Sequence, residues 1–171
     1  MESEISKILE EITSKSIINY SDIPNIDLYV DQVTTYIEQN LFTSTKDKSL
    51  TKSMINNYCK NGIIPPSDKK KYNKNHILLL ILLCNTKSIL QINDFKKIFE
   101  NTDEKTLLTY YSSVNNLLEN FTDTFDSKVL EMYKAIEITD EKEKIKILAT
   151  QLSIEANYKK LLAEQLIEKI L

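Results

Sequence analysis

The scarcity of residues that interrupt helices constrains this chain most. Its 171 residues include one Gly and three Pro, so long helices can continue with few breaks. Hydrophobic residues form 42% of the chain, which suffices for one well-buried core or for a small head with a helical body of equal size. We therefore predict an all-α protein in which the only strands form a small two-stranded wing around residues 63–72.

The segment from residue 50 to residue 72 begins with the signals of a short helix. Thr51 suits the N-cap of a helix, and Asn61-Gly62 suits its C-terminal end. These signals predict a helix of about ten residues between them. At 100° per residue, one face of this helix is apolar and consists of Met54, Ile55, Tyr58 and Cys59. The opposite face is polar and consists of Lys52, Ser53, Asn56, Asn57 and Lys60.

The same segment continues into a predicted β-hairpin. Gly62 allows a positive φ after the helix, and Pro65-Pro66 favours an extended chain before the turn. Three lysines, Lys69–Lys71, then lie at or just after the hairpin tip. A polar helix followed by a basic hairpin is typical of a nucleic-acid-binding head. The alternative is an ordinary surface helix followed by a solvated loop.

Charge favours the nucleic-acid interpretation. Residues 46–74 carry eight Lys and two Asp, a formal charge of +6, whereas the whole chain carries −3, so the remainder carries −9. A basic island in an acidic protein suits a localised polyanion site, because phosphate neutralisation supplies much of the affinity for nucleic acid. The residues predicted to contact DNA are Lys52, Ser53, Asn56, Asn57, Tyr58, Lys60, Lys69, Lys70, Lys71, Tyr72 and Lys74.

These residues carry two family resemblances. The spacing of Ile55, Asn56, Tyr58, residues 62–66 and Tyr72 resembles the helix-turn-helix and first wing of MerR-type transcription regulators. Residues 26–33, 50–58 and 70–72 resemble a bacterial family known only as domain of unknown function family 1836, over roughly residues 20–125. The resemblance implies a MerR-like DNA-binding fold, whereas the family label by itself establishes no activity.

The chain departs from the MerR pattern at several positions. MerR-type proteins usually carry Arg at the position of Asn56 and a Gly-Tyr-Arg sequence at Lys71-Tyr72-Asn73. All 22 basic residues of this chain are Lys, so the planar fork that reads guanine is absent from the sequence. The amides of Asn56 and Asn57 suit adenine instead. Tyr58 matches a phosphate-contacting tyrosine of the family, although its place on the apolar face suits core packing equally.

The remaining pattern divides the chain into two predicted domains. A MerR-like winged helix-turn-helix head with an N-terminal helix occupies residues 1–101, and a helical bundle that dimerises or senses a signal occupies residues 102–171. Polar residues 43–49 form a longer connection than the tight turn of a typical helix-turn-helix. In the head, the predicted helices cover residues 4–20, residues from Pro24 or Asp27 to Phe42, residues 77–84 after a cap at Asn73, and residues 94–99 after a cap at Asn93. In the helical bundle, one predicted helix runs from residue 102 to about 120, a second begins at about residue 123, and a third begins at residue 139 and extends as far as 171.

Signals for enzyme chemistry are absent from the sequence. One Gly cannot build a glycine-rich phosphate loop, and no cluster has metal-ligand spacing, so we predict no cofactor and no metal. His76 has no partner nearby in sequence for catalysis and suits a capping or solvent role, while Cys59 and Cys84 suit buried free thiols. No long apolar segment and no leader peptide appear, so a cytoplasmic protein outside the membrane is expected.

These observations lead to two functional hypotheses. The first is a transcription regulator that binds double-stranded DNA through the head and forms a homodimer through residues 104–171. The alternative is a protein-interaction adaptor that retains the fold without binding DNA. The sequence identifies neither an operator nor an effector.

Overall fold

The computed structural model describes residues 1–15, 17–41 and 49–171. The described residues are 72% helical and contain one small antiparallel sheet, which confirms the predicted class. The helices are α1 Glu2–Thr13, α2 Val30–Asn40, α3 Lys52–Lys60, α4 Lys74–Thr86, α5 Ile92–Phe99, α6 Glu104–Ala135 and α7 Glu141–Ile170. A 3-10 turn covers Tyr20–Asp22, and the strands are β1 Leu28–Tyr29 and β2 Lys71–Tyr72. Residues 43–48 of the predicted long connection lie outside the described residues.

The chain forms two compact units, with α6 contributing to both. We call residues Lys15–Asn116 the head, and Met1–Ser14 together with Leu117–Leu171 the body. This division differs from the predicted boundary between residues 101 and 102, and it assigns α1 to the body. The reason is the burial of Ile5 and Leu9 in a cluster with Val129, Tyr133 and Leu148.

The centre of the head is α4, as its composition predicts. Every residue from Ile77 to Leu83 is buried, so the helix is covered on all sides. The Asn73 side chain caps this helix by accepting the backbone N–H of His76 at 3.2 Å. The surrounding elements each bury apolar side chains against it, among them Val33, Ile37, Ile55, Phe95, Leu107 and Tyr111.

The first predicted helix ends earlier than expected. It was predicted to reach residue 20, but α1 ends at Thr13. Ile18 is instead buried in the head core, and its backbone carbonyl accepts hydrogen bonds from the Tyr111 hydroxyl at 2.5 Å and from Asn115 Nδ2 at 3.4 Å. Tertiary packing of Ile18 therefore overrides the local helical pattern.

The predicted hairpin over residues 63–72 is wrong. Strand β2 pairs with β1, with Leu28 opposite Tyr72 and Tyr29 opposite Lys71. Pro65-Pro66 lacks the backbone N–H groups that a partner strand needs, whereas Leu28 gains burial by pairing with β2. Helix α2 consequently begins at Val30 rather than at Pro24 or Asp27. At this helix start, the Tyr29 N–H donates to Gln32 Oε1 at 2.8 Å.

The later helices begin close to their predicted positions, with two differences. Asp140 caps α7 by accepting the Glu143 N–H at 3.0 Å. The predicted Asn93 cap is wrong, because α5 begins at Ile92 with Gln91 at the N-cap position. The predicted break between residues 120 and 123 does not occur, because α6 continues through it. No Gly or Pro interrupts the helix there, and the Thr122 hydroxyl bonds the helical carbonyl of Glu119 at 3.0 Å.

Candidate nucleic-acid interface

Helix α3 presents the two faces that its sequence predicts. Ile55 is fully buried, and Met54, Tyr58 and Cys59 are partly buried against the head core. The Thr51 side chain caps the helix by accepting the Met54 N–H at 3.2 Å. The exposed face consists of Lys52, Ser53, Asn56, Asn57 and Lys60. A row of amide, hydroxyl and ammonium groups therefore faces solvent from one rigid helix.

The chain leaves α3 at Gly62, which has a φ of +65°. The Gly62 N–H donates to the Cys59 carbonyl at 3.1 Å, and the Ile63 N–H donates to the Tyr58 carbonyl at 2.9 Å. Both bonds satisfy carbonyls at the helix end, and the left-handed conformation favours glycine. The predicted end of the helix is thus confirmed.

Two of the three clustered lysines occupy the centre of a tight turn. Lys69 and Lys70 have φ values of +46° and +64°, and the Lys71 N–H donates to the Asp68 carbonyl at 2.7 Å. Positive φ at both central residues is the pattern of a type I′ turn, for which Asn-Gly is the favoured sequence. Lysine at such positions costs roughly 1–2 kcal/mol each in backbone strain. This strain marks the turn as a candidate functional element.

Two of the predicted contact lysines, Lys52 and Lys71, both contact residues at the start of α2. Lys52 forms an ion pair with the Asp31 carboxylate. The Lys71 ammonium lies 5.4 Å from the centroid of the Tyr29 ring. Because Tyr29 and Asp31 are two residues apart, the first residue of α3 and the β2 strand approach the same part of the head.

The other predicted lysines differ in their surroundings. The Lys74 ammonium lies 3.7 Å from the Tyr20 ring centroid and donates to Asn25 Oδ1 at 2.9 Å. By contrast, Lys60, Lys69 and Lys70 are exposed, and none of them forms an ion pair with a described residue. These three ammonium groups therefore face solvent with neither a carboxylate nor an aromatic ring of a described residue beside them.

The two predicted tyrosines pack against the head core. Tyr72 is only 3% exposed, so the prediction that it contacts DNA is replaced by a packing role in the core. Tyr58 is partly buried on the core side of α3. Burial raises the hydroxyl pKa of both residues. Core packing therefore accounts for both side chains.

Two exposed aromatic residues near the predicted contact lysines were not among the residues predicted to contact DNA. Tyr29 is 54% exposed and Tyr20 is 37% exposed, and they lie beside Lys71 and Lys74 respectively. Exposed rings next to ammonium groups suit stacking and phosphate contacts in nucleic-acid sites. The sequence contains no local signal for either ring, because each lies beside a lysine that is more than 40 residues away along the chain.

Charge is divided unequally between the two units. The head contains 13 Lys and 10 acidic residues, a formal charge of +3. The body contains 9 Lys and 15 acidic residues, a formal charge of −6. A polyanion is therefore attracted to the head and repelled by the body.

The imidazole and the two thiols of the head are buried or partly buried. His76 is buried, with Nδ1 2.6 Å from Asn73 Oδ1 and Nε2 3.3 Å from the Pro66 carbonyl oxygen, and burial lowers its pKa. Burial raises the pKa of the Cys59 thiol and raises that of the Cys84 thiol to about 11. Within the described residues, no group of His, Cys, Asp or Glu is placed to hold a metal ion, and no helix is long and apolar enough to cross a membrane.

Comparison with known proteins finds one family. A family model described as "Domain of unknown function (DUF1836)" matches residues 18–134. The match includes α2 to α5 and all of α6 except its last residue. No curated protein and no solved structure matches the chain significantly.

Proposed function

The chain belongs to the DUF1836 family of domains of unknown function, and we propose that it is a DNA-binding transcription regulator with a MerR-like helix-turn-helix head. The observation that carries this proposal is the exposed polar face of α3 together with the strained lysine turn, since Lys52 of α3 and Lys71 after the turn both contact the start of α2. In this proposal the protein acts in the cytoplasm, and it is not an enzyme.

The proposal gives the exposed residues different roles. Asn56 and Asn57 face base edges in the major groove, where an amide pairs with the N6 and N7 of adenine. Lys60, Lys69 and Lys70 contact phosphates, which positions α3 without selecting a sequence. The exposed ring of Tyr29 supports the same backbone contact beside Lys71.

The first test replaces the lysine turn with the sequence that its conformation favours. Lys69→Asn with Lys70→Gly removes two charges and relieves positive-φ strain, so stability should rise by roughly 1 kcal/mol. Affinity for every duplex should fall, and the slope of log affinity against log salt should flatten by up to about two units. Fluorescence anisotropy over a salt series measures both effects. If the variant is more stable than the wild type but binds DNA more weakly, the lost affinity comes from lost contacts and not from a folding defect.

The control removes the same charge elsewhere on the head. Lys97→Gln with Lys105→Gln changes two exposed lysines on α5 and α6. This variant should retain most of the salt slope. If the control and the turn variant weaken binding equally, net charge rather than the turn accounts for the affinity.

The second part of the test concerns sequence preference. Asn56→Ala should cost about 1–3 kcal/mol on a duplex selected from a random pool and much less on unselected DNA. Equal losses on both duplexes would contradict base readout by α3. Absence of binding by the wild type at low salt, where the electrostatic attraction is strongest, would contradict the proposal as a whole.

An adaptor function is the second candidate. Lys52 is paired with Asp31 and Lys74 is engaged by Tyr20 and Asn25, which lowers the positive charge that the head offers to DNA. The body is acidic and exposes large apolar side chains on α7, including Tyr158 and Leu162 at 70% and 61% exposure. Such a surface favours protein partners.

A further inference from the structure

The head contains a cavity to which neither functional hypothesis assigns a role. Its volume is about 310 Å³, which is within the range of small-molecule sites. It lies between the chain that follows α3, helix α4, the end of α5 and the start of α6. The apolar part of its lining includes Ile63, Ile64, Pro65, Leu79, Phe99 and Leu107.

The apolar walls are firmly packed. Ile64, Leu79 and Leu107 are 1%, 6% and 4% exposed, so the deeper walls belong to the head core. The Phe99 ring packs against Phe95 at 4.7 Å between centroids. A ligand in this cavity would therefore meet a largely preformed apolar surface, which favours the body of an amphipathic molecule.

Lys96 supplies the single positive charge among the lining residues. Its side chain is exposed, and its ammonium forms no ion pair with any described residue. The ammonium donates only a long hydrogen bond, 3.4 Å, to the carbonyl of Asn61. Glu100 also lines the cavity, so an anionic group is attracted toward Lys96 and repelled by Glu100.

We propose that this cavity binds a small monocarboxylate with an apolar body, whose carboxylate pairs with Lys96. The proposal is independent of DNA binding, because all of its evidence lies in the cavity. Asn61 is the C-cap of α3 and Gly62 lines the cavity. A bound carboxylate that draws Lys96 away from the Asn61 carbonyl would therefore change the surroundings of the last residues of α3.

Isothermal titration of the full chain with sodium octanoate, without DNA, tests the proposal. Saturable binding at one site per chain is expected. Lys96→Met preserves the apolar stem and should weaken binding roughly fivefold, since it removes a partly exposed charged hydrogen bond. Glu100→Gln should strengthen binding, because it removes the repelling charge. Amide NMR shifts caused by octanoate should include Gly62 and Thr102.

Two controls make the result decisive. Lys97→Met removes the neighbouring exposed lysine, which does not line the cavity, and should leave octanoate affinity unchanged. Neutral 1-octanol should bind the wild type and Lys96→Met equally. The proposal is overturned if octanoate shows no saturable binding, or if Lys96→Met binds it as tightly as Lys97→Met does.

Discussion

At the scale of single residues, His76 joins three parts of the head. Its ring nitrogens lie beside the Asn73 side chain and the Pro66 carbonyl, and its ring meets the edge of Tyr72 at 5.5 Å between centroids. The residue therefore connects the start of α4 to the segment that follows α3. Its burial lowers its pKa from the usual 6.5, although hydrogen bonds to Pro66 and Pro65 oppose the shift.

This lowered pKa predicts acid-sensitive stability. In the unfolded chain His76 takes up a proton near pH 6.5, whereas in the folded chain it does so only at lower pH. Between these two pKa values, the unfolded state therefore binds more protons than the folded state does. The stability that His76 contributes above pH 6.5 is consequently lost as the pH falls through the pKa of the folded protein. Urea unfolding of the wild type and of His76→Gln at pH 7.5 and 5.0 measures this loss. An identical pH dependence in both proteins would contradict the prediction.

At the scale of elements, the features that the sequence predicted correctly depend on local chemistry. Thr51, Asn73 and Asp140 cap helices within three residues, and the polar face of α3 follows from its own periodicity. The errors at β1 and at the end of α1 concern long-range packing. The β1 strand and the exposed Tyr29 depend on a partner more than 40 residues away, and the end of α1 depends on a binding site for Ile18 that α6 supplies.

The attachment of Ile18 to α6 gives an element-scale prediction. Tyr111→Phe removes the hydroxyl that donates to the Ile18 carbonyl and leaves only the 3.4 Å bond from Asn115. The loss of a buried hydrogen bond should destabilise the protein by about 1–2 kcal/mol. Chemical denaturation followed by circular dichroism measures the change.

The neighbouring tyrosine provides the control for this prediction. Tyr110 is 39% exposed and packs its ring against Phe99, but its hydroxyl makes no hydrogen bond with a described residue. Tyr110→Phe should therefore change stability by less than about 0.5 kcal/mol. Equal effects of the two substitutions would show that the Ile18 contact contributes no stability.

At the scale of the whole molecule, α7 has two apolar faces, of which only one is covered by the body. Leu148 and Ile167 lie on the covered face. Ile147, Ile154, Tyr158 and Leu161 follow each other at spacings of seven, four and three residues, which places them on a second face of the helix. Their exposure ranges from 40% to 70%. A stripe of this kind suits burial against a second copy of the chain, because twofold dimers pair identical surfaces.

We therefore predict that the protein is a homodimer that associates through this stripe. Light scattering at about tens of micromolar should give twice the chain mass of 19.9 kDa. Tyr158→Lys with Leu161→Lys should give a monomer with unchanged helical content, because both side chains are exposed within the body and charge at their positions opposes only association. Ala156→Lys adds a charge at an exposed position on the opposite side of α7 from the stripe and should remain dimeric. A monomeric wild type, or equal dissociation of the two variants, would exclude the stripe as the dimer interface. The stripe would then be available to another protein, as the adaptor function requires.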